Sequence, residues 1–280
     1  MRIIQTTELI EIIKNLCIDA NTDLRDDVIQ AYHNALNSEK STLGKDVLKQ
    51  LLENAKYARE EKMPFCQDTG YAVFFIEIGQ EVHIEGGTLT AAINEAVRLG
   101  YTEGCLRKSI LKSPICRINT GDNTPAVINY DFVPGSDIKI SLLVKGCGCD
   151  NMSALKMFTP AEGIEAAKKF IIETVDRAGP NASPPVTLGI GLGGPFARAA
   201  LLAQKALLWP IGKLNPDPKL ADLEKELLHQ INNLGIGPAG YGGTVTALGL
   251  HIECGATHMA SFPVAVNIDC HSHRVKEVTL

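Results

Sequence analysis

The sequence is poor in aromatic residues, which make up 5% of its 280 positions and include a single tryptophan. It therefore offers few flat faces on which nucleic-acid bases could stack. It also lacks an excess of positive charge. Lys and Arg number 27 against 32 Asp and Glu, a net charge of -5, which leaves no broad basic footprint for a polyanion. No apolar run reaches the ~18 residues of a membrane span, and the opening MRIIQTTELIEIIKNL has no signal-peptide core. Internal repeats, low-complexity stretches and linkers are missing too, as are a P-loop and a G-x-S-x-G elbow. These absences predict a cytoplasmic chain that binds neither nucleic acid nor membrane. What is present is ordinary for a folded chain: 45% hydrophobic and 21% charged residues. A chain of this length buries about three quarters of its unfolded surface, so it needs no disulfide staples.

Apolar periodicity predicts an α+β fold in one domain spanning 1–280, with a helical segment at about 1–62 integral to it. Leu9, Ile10, Ile12, Ile13 and Leu16 form one helical stripe, Val28, Ala31 and Ala35 a second, and Val47, Leu48, Leu51, Leu52 and Ala55 a third. Strand character begins at Tyr71–Ile78, followed by a short EVHI segment, and helical spacing returns over Thr88–Leu99. Ala126–Val133 and Ile138–Val144 flank a Pro-Gly-Ser-Asp turn and read as a hairpin. Thr159, Pro160 and Glu162 form a capping box opening a helix that Gly179 should end. Val186–Ile190 reads as strand, Ala197–Leu208 and Leu220–Leu234 as helices, and Thr244–Ile252 and Phe262–Ile268 as strands. The sheet is expected to be mixed and largely antiparallel, packed with the helical N-terminal region.

Eight cysteines in a reducing compartment are not expected to pair. Cys17, on the first helical stripe, reads as a buried apolar residue. Others fall in glycine-rich loops, where chemistry usually sits. Cys66-Gln67-Asp68-Thr69-Gly70 reads either as a turn or as a site. Arg107 either complements a helix end or holds a carboxylate in bidentate fashion. Asn119–Pro125 has turn composition. Cys147 and Cys149 share the small loop Lys145–Asn151, a spacing that suggests ligation or redox work, and Asp269-Cys270-His271-Ser272-His273 ends a strand, with His258 twelve residues before Cys270. Gly189–Gly194 matches G-x-G-x-x-G, but a dinucleotide site would need an acidic residue about 20 positions on. That stretch is Trp209–Lys213 and has none, so the dinucleotide reading fails. A closed zinc site usually uses paired Cys/His spacings such as C-x2-C; C-x-C with the distant Cys-His-Ser-His matches that pattern poorly and leaves zinc as a minor alternative.

The segments PFCQDTG, RKSI, NTGDNTPAVI, KG-x-G-x-x-NMSALKM, GIGLGG, GIGPAGYGGTVTAL and FPVAVNIDCHSHR occur in an order that resembles class I fumarate hydratases and L-tartrate dehydratases. The likeness is to their alpha subunit, of the type equivalent to the N-terminal domain of the fused enzymes, and runs from about residue 5 to 275. It implies a hydro-lyase that interconverts fumarate and L-malate with a 4Fe-4S cluster as Lewis acid, held by three thiolates with one iron open to substrate. Cys66 and Cys270 match two cluster ligands. Gln67, Asp68 and Arg107 match positions that hold the substrate carboxylates and hydroxyl, Gly146 a backbone contact, and His258 a histidine near the active site; Asp68 and His258 are the candidates for proton transfer. Since no β-type domain follows Leu280, the resemblance also implies a separate beta subunit carrying the swivelling domain, with alpha dimerising inside a heterotetramer.

The third family ligand precedes Pro-Pro, where this chain has Ser183, and the Gly146 loop carries Cys147 and Cys149 where the family has Gly and Ser. The third ligand is thus expected from Cys147, Cys149 or Ser183, with a ligand swap into the loop as the leading expectation. An L-tartrate dehydratase, or another 2-hydroxy-dicarboxylate dehydratase, is the alternative activity. A non-catalytic homologue with a zinc or redox thiol site is the alternative from another class.

Overall fold

The computed structural model describes residues 2–280. In chain order its elements are β1 (Arg2–Gln5), α1 (Thr6–Thr22), α2 (Asp26–Ser38), α3 (Thr42–Glu61), β2 (Tyr71–Gly79), β3 (Val82–Glu85), α4 (Leu89–Glu103), β4 (Val127–Val133), β5 (Ile138–Lys145), the short turn α5 (Cys147–Asp150), β6 (Ala154–Phe158), α6 (Gly163–Ala178), β7 (Val186–Leu192), α7 (Phe196–Ala206), α8 (Pro218–Asn232), β8 (Ala247–Cys254), β9 (Phe262–Asp269) and β10 (Arg274–Thr279). The fold is α+β, as the periodicity predicts. The chain packs around two centres. Residues 2–25, 55–147 and 274–280 form the first unit, and 26–54 and 148–273 the second.

In the first unit a four-stranded sheet has the order β10-β5-β2-β4. Helices α1 and α4 cover it, and Leu9, Ile13 and Cys17 meet Ile93, Ala96, Val97 and Tyr101 over Phe74, Ile76, Ile140 and Leu142. Each fully buried Leu, Ile, Val or Phe side chain among them contributes roughly 1.5–3 kcal/mol. Burial also pushes the Cys17 thiol up to about 12, which makes it the inert core residue its position predicts. The expected hairpin does not form. Strand β2 lies between β4 and β5, parallel to the first and antiparallel to the second. The Pro134–Asp137 segment arches over the end of β2, where Gly79 donates to Asp137 O and Glu81 to Gly135 O. A Cβ on Gly79 would overlap the Gly135 carbonyl, so glycine at this position is what lets the arch pass. Turn composition foretold the reversal but not the strand inserted beneath it.

The second unit holds a sheet of order β6-β9-β7-β8. On one face, Leu188, Ile190, Val264, Val266 and Ile268 pack against Ala167, Ile171 and Val175 of α6 and Leu227 and Ile231 of α8. On the other face α7 lies directly on β7 and β9, with Ala199 and Ala203 against Ala265. A Cβ on Gly189 or Gly191 would overlap the carbonyls of Ala203 and Ala199. The glycines of GIGLGG therefore serve close helix-on-strand packing. Thr159 and Glu162 make the expected capping box before α6, and Asp217 caps α8 by accepting from Lys219 N. Strands β1, β6 and β10 escape the periodicity, β1 at the start of the stretch read as helical. Among the described residues no helix is long and apolar enough to cross a membrane.

Candidate functional site

In the first unit the loop between α3 and β2 is tied to two other loops. Asp68 Oδ1 accepts from Gly70 N at 3.0 Å, and its Oδ2 accepts from Cys147 N at 3.1 Å. One carboxylate thus fixes both its own turn and the start of the Gly146 loop. Thr69 donates from Oγ1 to Arg107 O at 2.8 Å, and Tyr101 donates its hydroxyl to Thr69 O at 2.6 Å. Asn123, buried in left-handed backbone, donates to Gly70 O and accepts from Ser109 N. Gly70 itself sits at φ +55, and a side chain there would overlap Lys145 O. The CQDTG, RKS, NTGDNTP and KG motifs are therefore one hydrogen-bonded cluster. It brings together Cys66, Gln67, Asp68, Arg107, Gly146 and Cys147. The Gln67 and Arg107 side chains are exposed, while Cys66 and Cys147 are half-buried. The cluster thus carries a guanidinium and an amide on the same loops as an oriented carboxylate, donor types that suit a dicarboxylate.

In the second unit the C-terminal end of β9 carries a buried donor group. The Sγ atoms of Cys149 and Cys270 and a carboxylate oxygen of Asp269 all lie within 4.8 Å of one another. Cys149 Sγ donates to Asp269 Oδ1 at 3.6 Å, and Asp269 Oδ2 receives His273 Nδ1 at 2.7 Å. Cys270 Sγ is 3.0 Å from Ser272 Oγ. The neighbouring backbone is pinned as well: His271 donates its N–H to Ser183 O, and Tyr32 donates its hydroxyl to His271 O. Burial, with the charges of Cys270 and Asp269 added, pushes the Tyr32 phenol well above its ordinary value. Ser183 is exposed and in left-handed backbone, and its carbonyl is engaged by both His271 N and His271 Nδ1. The donor set tests well for an iron–sulfur group: two soft thiols suit iron, and a buried carboxylate and histidine can orient them.

His258 stands apart from this group. It lies exposed in the loop before β9, with Nδ1 accepting from Ala260 N. Cys270 follows the other end of the same eight-residue strand, a separation of roughly 23 Å at 3.3 Å per residue. The structure therefore does not bring His258 to Cys149 and Cys270. Sequence reasoning passed over Asp269, His273, Tyr32 and Asn123 as functional groups. For Asp269 and His273 a usable signal existed, since they flank a candidate ligand. For Tyr32 none did.

Similarity to known proteins agrees with the motifs. Residues 10–279 match the family described as Fumarate hydratase (Fumerase). A protein of Methanocaldococcus jannaschii, provisionally named an L(+)-tartrate dehydratase subunit alpha, is 40% identical over 278 residues, covering 96% of this chain and 97% of that one. The L(+)-tartrate dehydratase subunit alpha of Escherichia coli (strain K12) is 34% identical over 271 residues, covering 95% and 89%.

Proposed function

Because the chain belongs to the fumarate hydratase (Fumerase) family, we propose that it is the alpha-type subunit of a hydro-lyase acting on a four-carbon dicarboxylate, with fumarate and L-malate as the pair it interconverts. The observation that carries this reading is the buried Cys149, Asp269 and Cys270 donor group at the end of β9. Cys66, Cys270 and the Cys147/Cys149 loop are the proposed holders of a 4Fe-4S cluster. When bound, such a cluster supplies a Lewis acid for the departing or arriving hydroxyl. The protein's own share is binding and proton handling. Arg107 offers two parallel N–H donors to one substrate carboxylate, and the Gln67 amide donates to substrate oxygen. The Gly146 peptide supplies a backbone contact. Asp68, fixed through Gly70 N and Cys147 N, carries the proton to or from carbon. For His258 the proposal is a proton-relay role that requires its loop to reach substrate bound away from the β9 end it occupies.

The names of the relatives favour L-tartrate as a second reading, in which loss of water gives oxaloacetate. They also support a beta-type partner. The test is anaerobic co-purification with such a beta subunit, followed by parallel assays of fumarate hydration and L-tartrate dehydration. Turnover of fumarate well above that of L-tartrate upholds the first reading, the reverse ratio the second, and no turnover of either by iron-loaded protein overturns both.

A further inference from the structure

We infer that Cys149, and neither Cys147 nor Ser183, supplies the third thiolate of the metal site, with Asp269 as the residue that positions it. This rests on the iron–sulfur reading above and says which of this chain's own atoms it uses. Two thiols near one another can be coincidence in a cysteine-bearing loop, so the question is whether the loop is built to hold one there. It is. Asn267, on β9, donates from Nδ2 to Asp150 Oδ1 at 3.0 Å and to Ser153 Oγ at 3.3 Å, and Ile268 N donates to the same Ser153 Oγ at 3.0 Å. The loop closes on itself through Met152 N to Cys149 O and Ser153 N to Asp150 O. Asp150 and Ser153, which follow Cys149, are thereby stitched to Asn267 and Ile268, the two positions preceding Asp269.

The side chain is fixed as firmly as the backbone. Cys149 is 3% exposed, and its Sγ donates to Asp269 Oδ1. The second oxygen of Asp269 is held by Nδ1 of His273, which is fully buried. Among the described residues, His273 Nε2 has no hydrogen-bond partner. One oxygen of Asp269 thus meets the ring and the other the thiol, which holds the Cys149 sulfur near Cys270 before ligation and places a carboxylate oxygen to accept the thiol proton as the sulfur becomes a thiolate. Cys147 is committed differently: its peptide N–H holds Asp68, and its side chain is half-buried, with no place in the Cys149, Asp269 and Cys270 donor group. Ser183 turns its carbonyl to His271 and is exposed. A hydroxyl there is also the poorer ligand, because soft thiolates are what iron–sulfur chemistry selects.

The experiment compares the full chain with Cys147→Ser, Cys149→Ser and Asp269→Asn. Iron and acid-labile sulfide per chain are measured after anaerobic purification, and Co(II) is titrated into metal-free protein while the sulfur-to-cobalt charge-transfer band is read. Far-ultraviolet circular dichroism checks that each variant is folded. The expected result is that Cys147→Ser keeps the iron content and the cobalt band of the parent. Cys149→Ser should lose most of its iron and about a third of the band, as one of three thiolates goes. Asp269→Asn should keep the band but bind cobalt roughly ten-fold or more weakly, the usual effect of removing an outer-shell partner. A folded Cys149→Ser protein with full iron and an undiminished band overturns the assignment while leaving the iron–sulfur reading intact. Unchanged cobalt affinity in Asp269→Asn removes the positioning role. A parent chain that assembles no iron–sulfide after reconstitution defeats the iron–sulfur reading instead, and the cobalt band then decides the Cys149 assignment separately.

Discussion

Glu39 is nearly inaccessible and yet carries a carboxylate. Burial pushes its carboxyl up, but N–H donors from Ser41, Thr244, Val245 and Lys40 outweigh that and hold it below its ordinary value. A group depressed by folding stabilises the fold above its unfolded pKa and loses that contribution as pH falls through its folded pKa. Glu39→Gln should therefore cost about 2–3 kcal/mol at pH 7, in line with hydrogen bonds to a charged acceptor. The gap between it and the parent should shrink as pH drops below the carboxylate range. Thermal melts of both proteins across that range check this, and a gap constant with pH would refute it. At the proposed substrate surface, Arg107→Lys should raise KM about ten-fold or more with a smaller change in kcat, because an ammonium cannot make the bidentate contact. Steady-state kinetics decides the matter. The loop motifs were legible because they concentrate chemistry within a few consecutive positions. Glu39 and Tyr32 were not, since one follows a helix and the other sits in its apolar stripe, and their partners, Thr244 and His271, lie over 200 positions away.

Helices and strands announced themselves where one face is apolar, and failed to where packing imposes another requirement. Strand β7 alternates Leu188 and Ile190 on the α6 and α8 face with Gly189 and Gly191 beneath α7. A sequence pattern alone makes that alternation look like a phosphate loop. Its physical meaning is the absence of a Cβ where a helix backbone rests on the strand. Gly191→Ala should push α7 off the sheet and cost roughly 1–3 kcal/mol, the range for overpacked cores. Its denaturant midpoint should fall without a change in the far-ultraviolet spectrum of the native state. A midpoint equal to the parent's would show that α7 has room to spare. Strand order was harder to read than strand existence: the four residues between β4 and β5 are short enough for a hairpin, yet they span the end of β2. Only Gly79, placed where the arch crosses, records that arrangement in the sequence.

Across the whole molecule, the chain passes between its two packing units at residues 25–26, 54–55, 147–148 and 273–274. Composition and linkers give no sign of these passages, because two occur within helices, α3 and the turn α5. The expectation of one uninterrupted unit followed naturally from the lack of a linker, and what periodicity could not convey is which helix belongs to which core. Helix α2 illustrates the consequence. Its buried face of Val28, Ala31, Tyr32 and Ala35 serves the second unit, whose other segment, 148–273, begins more than 100 positions later. Tyr32 holds the backbone of His271, and Glu39 just beyond the helix holds Thr244 and Val245. A fragment of residues 148–273 contains the whole β6-β9-β7-β8 sheet but neither of these supports. It would leave polar backbone groups at 244–245 without the carboxylate that satisfies them, a loss of about 1–3 kcal/mol for each buried donor. Against total stabilities of about 5–15 kcal/mol, that loss and the stripped apolar face should prevent cooperative folding. The fragment is expected to melt without a sharp transition, and adding the 26–54 segment on a separate chain should sharpen it. A fragment that melts as cooperatively alone as it does with that segment would show that the sheet and its α6, α7 and α8 cover are sufficient, and that α2 is an accessory to the second core.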